Sequence, residues 1–171
     1  TGIFLEHANS ARLSQVWFQT MRDAIRMRNT YGVRITGCHA TQLGRDFLRA
    51  ETRTFHLIMR ENGAFGIGGY FLNLMEAAPS LNIRCEANDV EVCAGLVKTL
   101  GTIDGFAWVG NYMEQASGTM FDFAQSVLGQ IDGSNTFQLS NAQAVANFRG
   151  TFQNNHLVET QINWGGNSFP V

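Results

Sequence analysis

Residues 81–97, Leu-Asn-Ile-Arg-Cys-Glu-Ala-Asn-Asp-Val-Glu-Val-Cys-Ala-Gly-Leu-Val, constrain this chain more than any other stretch. Leu81, Ile83 and Cys85 alternate with Asn82, Arg84 and Glu86, the period of two expected of a half-buried strand. Asn88 and Asp89 have the chemistry of a turn and a helix N-cap. Val92, Leu96, Val97 and Leu100 then recur at helical spacing, with Gly101 placed to end the helix. The expectation is a strand, a polar turn and a short helix that carries Cys93 on its inner face. A cysteine so placed is either a structural bolt or a nucleophile, and the two readings lead to different proteins.

A chain of 171 residues, 44% of them hydrophobic, suits one domain with one sizeable core. Only 15% of residues are charged, well under the usual quarter. Nine arginines in the first sixty residues face Glu6, Asp23, Asp46 and Glu51, a surplus of five; the remainder holds three basic residues against ten acids. Ends of opposite sign favour contacts between copies. Interleaved acids and a net charge of −2 argue against nucleic acid as a partner. No metal or cofactor is expected: His7, His39, His56 and His156 are scattered, and none pairs with a cysteine at zinc-ligand spacing. The glycines of residues 63–69 form neither a phosphate loop nor a dinucleotide fingerprint.

Residues 10–29 read as an amphipathic helix, with Ser10 as cap and Leu13, Val16, Trp17, Met21, Ala24 and Ile25 as one stripe. A second helical stretch is expected over residues 41–60, strands over 70–74, 105–112 and 157–164, and a short helix over 140–147. The layout is α+β: a long N-terminal amphipathic helix on an antiparallel sheet with small peripheral helices. It divides a single domain into a helix (1–32), a helical connection (33–63) and a sheet-rich head (64–171).

Three pieces of the chain resemble type IVb pilins, the subunits of bacterial type IV pili. Residues 62–69, Asn-Gly-Ala-Phe-Gly-Ile-Gly-Gly, are similar to the Asn-x-Phe-Gly-Gly loop that leads into the pilin sheet. The alternating strand and Cys93-Ala94-Gly95-Leu96-Val97 resemble the pilin strand and Cys-x-x-Leu helix. Residues 139–164 look like the short Thr-Pro-Ala-Gln-Ala helix and the final strand. The resemblance implies a self-assembling extracellular fibre subunit without enzymatic activity, active in adhesion to a host or partner cell. Its membrane segment would lie upstream of Thr1. Leu13, Trp17, Met21 and Ala24 would pack the helix on the sheet, and Arg22, Arg26 and Arg28 would meet other subunits. The family's second cysteine would fall near Phe148, so Cys93 is left to pair with Cys85 or Cys38; such a bridge contributes roughly 2–4 kcal/mol.

Two alternatives accompany this reading. The same Cys93 segment resembles the Cys-Ser-Gly-Leu-Val of NlpC/P60 cysteine peptidases, which would make Cys93 the nucleophile, His156 its base, and Asn163 or Asn167 the residue that orients the base. A viral or phage structural subunit would share the low charge and the Asn-rich surface.

Overall fold

The strand expected over 81–86 is present, and the turn after it leads into another strand. The computed structural model describes residues 1–138 and 148–158, and among them there is no helix. Every pairing between its strands is parallel, and each strand lies over the one that occupies the same place a turn earlier. The chain is a parallel β-solenoid. The partners Ile3, Ile25, Leu48, Leu72, Val97 and Phe121 are separated by 22, 23, 24, 25 and 24 residues, the length of successive coils.

Three ladders run along the solenoid. The first holds β1 (Ile3–Glu6), β4 (Ile25–Arg28), β7 (Leu48–Ala50), the end of β9 (Gly63–Leu74), the end of β11 (Asp89–Thr99) and β14 (Phe121–Phe123). The second holds β2 (Arg12–Ser14), β5 (Arg34–Thr36), β8 (Phe55–Arg60), β10 (Ser80–Glu86), β12 (Ile103–Val109), β15 (Val127–Asp132) and β17 (Phe148–Phe152). The third holds β3 (Trp17–Gln19), β6 (His39–Leu43), the starts of β9 and β11, β13 (Tyr112–Ala116), β16 (Thr136–Gln138) and β18 (His156–Val158). Because β9 and β11 each serve two ladders, the first and third faces share one sheet.

The corner between the second and third faces explains the sequence best. One residue in each coil takes a left-handed backbone there: Gln15, Gly37, Glu61, Ala87, Gly110, Ser134 and Asn154, with φ from 49° to 66°. The next residue turns inward, and from the third coil on it is Asn62, Asn88, Asn111, Asn135 and Asn155. Each amide lies over the next. The Asn62 backbone N–H donates to Asn88 Oδ1 at 3.0 Å, Asn88 to Asn111 at 2.9 Å, and Asn111 to Asn135 at 2.8 Å. The Nδ2 groups of Asn62, Asn88 and Asn111 donate to the carbonyls of Ile35, Met59 and Cys85. The ladder therefore satisfies buried polar groups that would each cost about 1–3 kcal/mol if left unpaired. Asn88 is not a helix cap; it is a rung.

Left-handed residues also account for the apparent helix over 10–29. Alternation along a strand puts every second side chain inside, and a left-handed residue between two strands resets it. Leu13 and Phe18 point inward from β2 and β3, with Gln15 (φ 55°) between them. The inward spacing then drifts from two toward three and four, which imitates a helical stripe. Residues 1–32 in fact form β1 to β4, and residues 41–60 run through β6, β7 and β8. Leu13, Trp17, Met21 and Ala24 pack no helix on a sheet: Ala24 is buried, Leu13 and Met21 are partly so, and Trp17 is 75% exposed. The pilin resemblance and its helix-on-sheet architecture are overturned by this fold.

The core grows more aromatic along the axis. Ile25, Met27, Ile35 and Leu48 fill the early coils together with Phe18 and Phe47, whose rings meet edge-to-face at 6.4 Å. Phe71, Phe106, Trp108, Phe121 and Phe137 fill the later ones, with edge-to-face contacts such as Trp108 against Phe121 at 5.5 Å. Gly95 lets two coils close: a Cβ there would meet the Tyr70 ring and the Thr119 carbonyl. The helix expected over 140–147 and most of the strand expected over 157–164 lie outside the described residues.

Candidate functional site on the third face

The outer side of the third face carries two columns of side chains, one coil apart at each step, or about 4.8 Å. The first runs Trp17, His39, Gly63, Asp89, Tyr112, Thr136 and His156; the second runs Gln19, Thr41, Phe65, Glu91, Glu114 and Gln138. Trp17 stacks on His39 with ring centroids 4.9 Å apart and an interplanar angle of 27°. The next position is Gly63, where a Cβ would lie 2.6 Å from His39 Nδ1, so the stack depends on the missing side chain. Phe65, 49% exposed, stands beside it. A shallow pocket bounded by Trp17, His39, Phe65, Asp89 and Glu91 results.

Acids follow the aromatics. Glu91 and Glu114 are register partners on adjacent coils. Burial, and then the nearby Glu114 carboxylate, raise the pKa of Asp89 against the pull of His39. Burial, and then Asp89 and Glu114, raise that of Glu91. The Tyr112 hydroxyl donates to Glu114 at 2.8 Å and lies 3.0 Å from Gln138; the bond to Glu114, with burial, pushes its phenol up to about 12. No basic side chain forms an ion pair with Asp89, Glu91 or Glu114 among the described residues.

The residues singled out in the sequence do not converge. Cys38, Cys85 and Cys93 are all buried and all free, so no disulfide joins any pair. Cys85 lies between Met59 and Trp108 in the second ladder, Cys93 between Ile67 and Ala116 in the third, and Cys38 heads the asparagine ladder through its N–H to Asn62 at 3.0 Å. Burial pushes the Cys93 thiol up to about 12, the opposite of an activated nucleophile. His156 is exposed on the outer face three coils away, about 14 Å along the axis. Cys93 and His156 are therefore no peptidase pair; Asn163 and Asn167 lie outside the described residues.

Arg26 and Arg28 engage Glu51 and Glu6 of their own chain, while Arg22 is exposed without an ion pair among the described residues. No group of His, Cys, Asp and Glu suited to a metal ion occurs among the described residues. No described helix is long and apolar enough to cross a membrane.

No family model, curated protein or solved structure matches the chain. The third-face site was missed in the sequence because successive members of each column are 20–26 residues apart and belong together only through the coil repeat. The usable signal was the recurrence of an inward asparagine at 62, 88, 111, 135 and 155, which gives the period and hence the columns.

Proposed function

We propose that the third face is a binding surface for a polysaccharide chain, on a protein that works outside the cell. The observation that carries this reading is the exposed Trp17–His39 stack and Phe65 set beside Asp89, Glu91 and the Tyr112–Glu114 pair. A pyranose presents an apolar C–H face, which suits an exposed aromatic ring, and a rim of hydroxyls, which donate to carboxylates. A ladder of coils repeats such groups along a straight line, the geometry a linear polymer requires. Unpaired carboxylates favour a neutral or basic sugar over an acidic one. The low overall charge and the many Asn, Gln, Ser, Thr and Gly residues fit an extracellular surface.

Calorimetric titration with soluble neutral glycans and chitosan oligosaccharides tests this. The expected result is saturable binding, weakened at least tenfold by Trp17→Ala and by Phe65→Ala, with thermal stability retained because both side chains are exposed. Binding that both variants leave intact would overturn the assignment, as would no binding to any glycan tried.

A second reading follows from one observation: Glu91 and Glu114 are register partners on adjacent coils of the outer face, and glycoside hydrolysis uses two carboxyl groups that flank one bond. Burial and the neighbouring acids raise the pKa of Glu91, while the Tyr112 hydroxyl donates to Glu114, so the two carboxyls stand in different environments. Release of reducing ends from a bound glycan, lost in Glu91→Gln and Glu114→Gln, distinguishes cleavage from binding alone.

A further inference from the structure

The arginine surplus of the first sixty residues is spent unequally. On the first face, Arg26, Arg28, Arg45 and Arg49 are each matched to Asp23, Asp46, Glu6 or Glu51. On the second face, Arg60 pairs with Glu61 and Arg84 with Glu86. Arg12 and Arg34 have no ion pair among the described residues, although they are register partners on adjacent coils. Like charges directly opposite each other in a ladder destabilise it. Held this way, Arg12 and Arg34 have no internal counter-charge among the described residues.

The surroundings suit an external anion. A groove runs over Ser10, Arg12, Gly32, Arg34, His56 and Ile58, and continues past Arg34 and Ile58 to Arg60. Gly32, at φ 68°, leaves the floor between Ser10 and His56 without a side chain. The Asn82 amide lies 3.2 Å from His56 Nδ1. An amide N–H donating there places the ring proton on Nε2, as a further donor. The groove thus offers two guanidinium forks, an imidazole N–H and a hydroxyl. Its nearest carboxylates, Glu61 and Glu86, are already engaged by Arg60 and Arg84.

We propose that this groove binds an oxyanion group, a sulfate ester or a uronate carboxylate, carried by an acidic polysaccharide. That the carrier is a sugar polymer rests on the third-face reading, which assigns a neutral or basic glycan to that face; that this groove takes an acidic one rests on Arg12, Arg34 and His56 alone. A guanidinium fork matches a carboxylate or sulfate edge in a bidentate way that an ammonium does not. A compact pair of free arginines suits one anionic group at a time, whereas a nucleic-acid strand needs a long basic track.

The test is titration of the whole chain at low salt with inorganic sulfate, a sulfated oligosaccharide, oligogalacturonate and a single-stranded oligonucleotide. The expected result is that one of the acidic glycans binds and raises the melting temperature, and that inorganic sulfate competes weakly. Arg34→Gln and Arg12→Gln should each weaken glycan binding at least tenfold, Arg60→Gln less than threefold, and Trp17→Ala not at all. An equal loss in Arg60→Gln and Arg34→Gln would mean diffuse charge and would overturn the site. Tighter binding of the oligonucleotide, or binding of inorganic sulfate alone, would overturn the acidic glycan. Because Trp17→Ala and Arg34→Gln act on different faces and different glycans, failure here and failure of the third-face reading are separately visible.

Discussion

The first and third faces belong to the same sheet, yet they treat carboxylates in opposite ways. On the first face, Asp23 and Asp46 are almost wholly buried and fully engaged. Arg45 grips Asp23 through Nε at 2.6 Å and Nη2 at 2.5 Å. Asp46 accepts from the Tyr70 backbone N–H at 2.9 Å, from Asn73 Nδ2 at 2.9 Å and from Arg49 at 3.4 Å. Burial opposes ionisation of Asp23, but the hydrogen bond and charge of Arg45 outweigh it, and its pKa falls. Hydrogen bonds from Arg26, opposed by burial and reinforced by Arg28, lower that of Glu51. On the third face, burial and then neighbours of their own sign raise the pKa values of Asp89 and Glu91. The first arrangement holds coils together; the second spends stability to keep acids available to solvent. A solenoid separates these tasks because each column of equivalent positions lies on one face.

The sharpest break of this comparison is a pair of substitutions. Asp46→Ala should destabilise the chain by about 3–5 kcal/mol, since it leaves buried donors and partly buried arginines without their acceptor. Glu91→Gln should do the reverse, adding about 0.5 kcal/mol by removing like-charge repulsion. Urea unfolding of both variants at neutral pH measures the two. A loss of stability in Glu91→Gln would show that the third-face acids are structural after all.

The pH dependence carries the same opposition with the signs resolved. Asp23 and Glu51 titrate below their unfolded values, so their contribution is present above about pH 4 and is lost as pH falls through their lowered folded values. Asp89 and Glu91 titrate above their unfolded values, so the folded state binds the extra protons. Their effect is a stability that declines as pH rises from about 4 through their raised folded values. Thermal melts across this range should show Glu91→Gln flattening the upper decline and leaving the acid limb in place.

The smallest effect concerns the backbone beside that acid row. Val92 holds φ 52°, a conformation costly for a β-branched residue, in a column of left-handed positions with Thr20, Gln42, Gly66 and Gln115. Val92→Gly relieves that strain but adds entropy to the unfolded chain, so it should stabilise by only a few tenths of a kcal/mol, visible as a slightly higher melting temperature with glycan binding unchanged.

Much of the local structure was legible in the chain. Ile83 and Cys85 are the inward side chains of β10 as their alternation predicts, whereas Leu81 is exposed because the left-handed Asn82 (φ 53°) breaks the pattern; the aromatic strand expected over 105–112 became most of β12. The glycines of residues 63–69 do permit close approach, as the crowding of a Cβ at Gly63 or Gly68 shows. Legibility failed at the bends. A residue such as Gln15, Ala87 or Val92 carries no sign that it will be left-handed, because a neighbouring coil, not its own side chain, holds it there. Each such bend shifts the inward side chains out of strict alternation, and the shifted pattern is indistinguishable over one coil from a helical stripe. The third-face site was hidden for the same reason, since Trp17, His39 and Glu91 become neighbours only after the coil length is known.

By itself, the sequence determined that there would be one apolar core, short alternating runs separated by polar bends, and basic and acidic halves of opposite sign. It also supplied the repeated asparagines without saying what they repeat for. Only the tertiary structure decided that the runs stack in parallel, that Asn88 and its equivalents turn inward, and which arginines meet an acid. The physical reason is that a coil of this solenoid has almost no partner within itself. Of its strands, each finds its hydrogen bonds about two dozen residues away, so local preference sets where the chain bends and the neighbouring coil sets what the bend becomes.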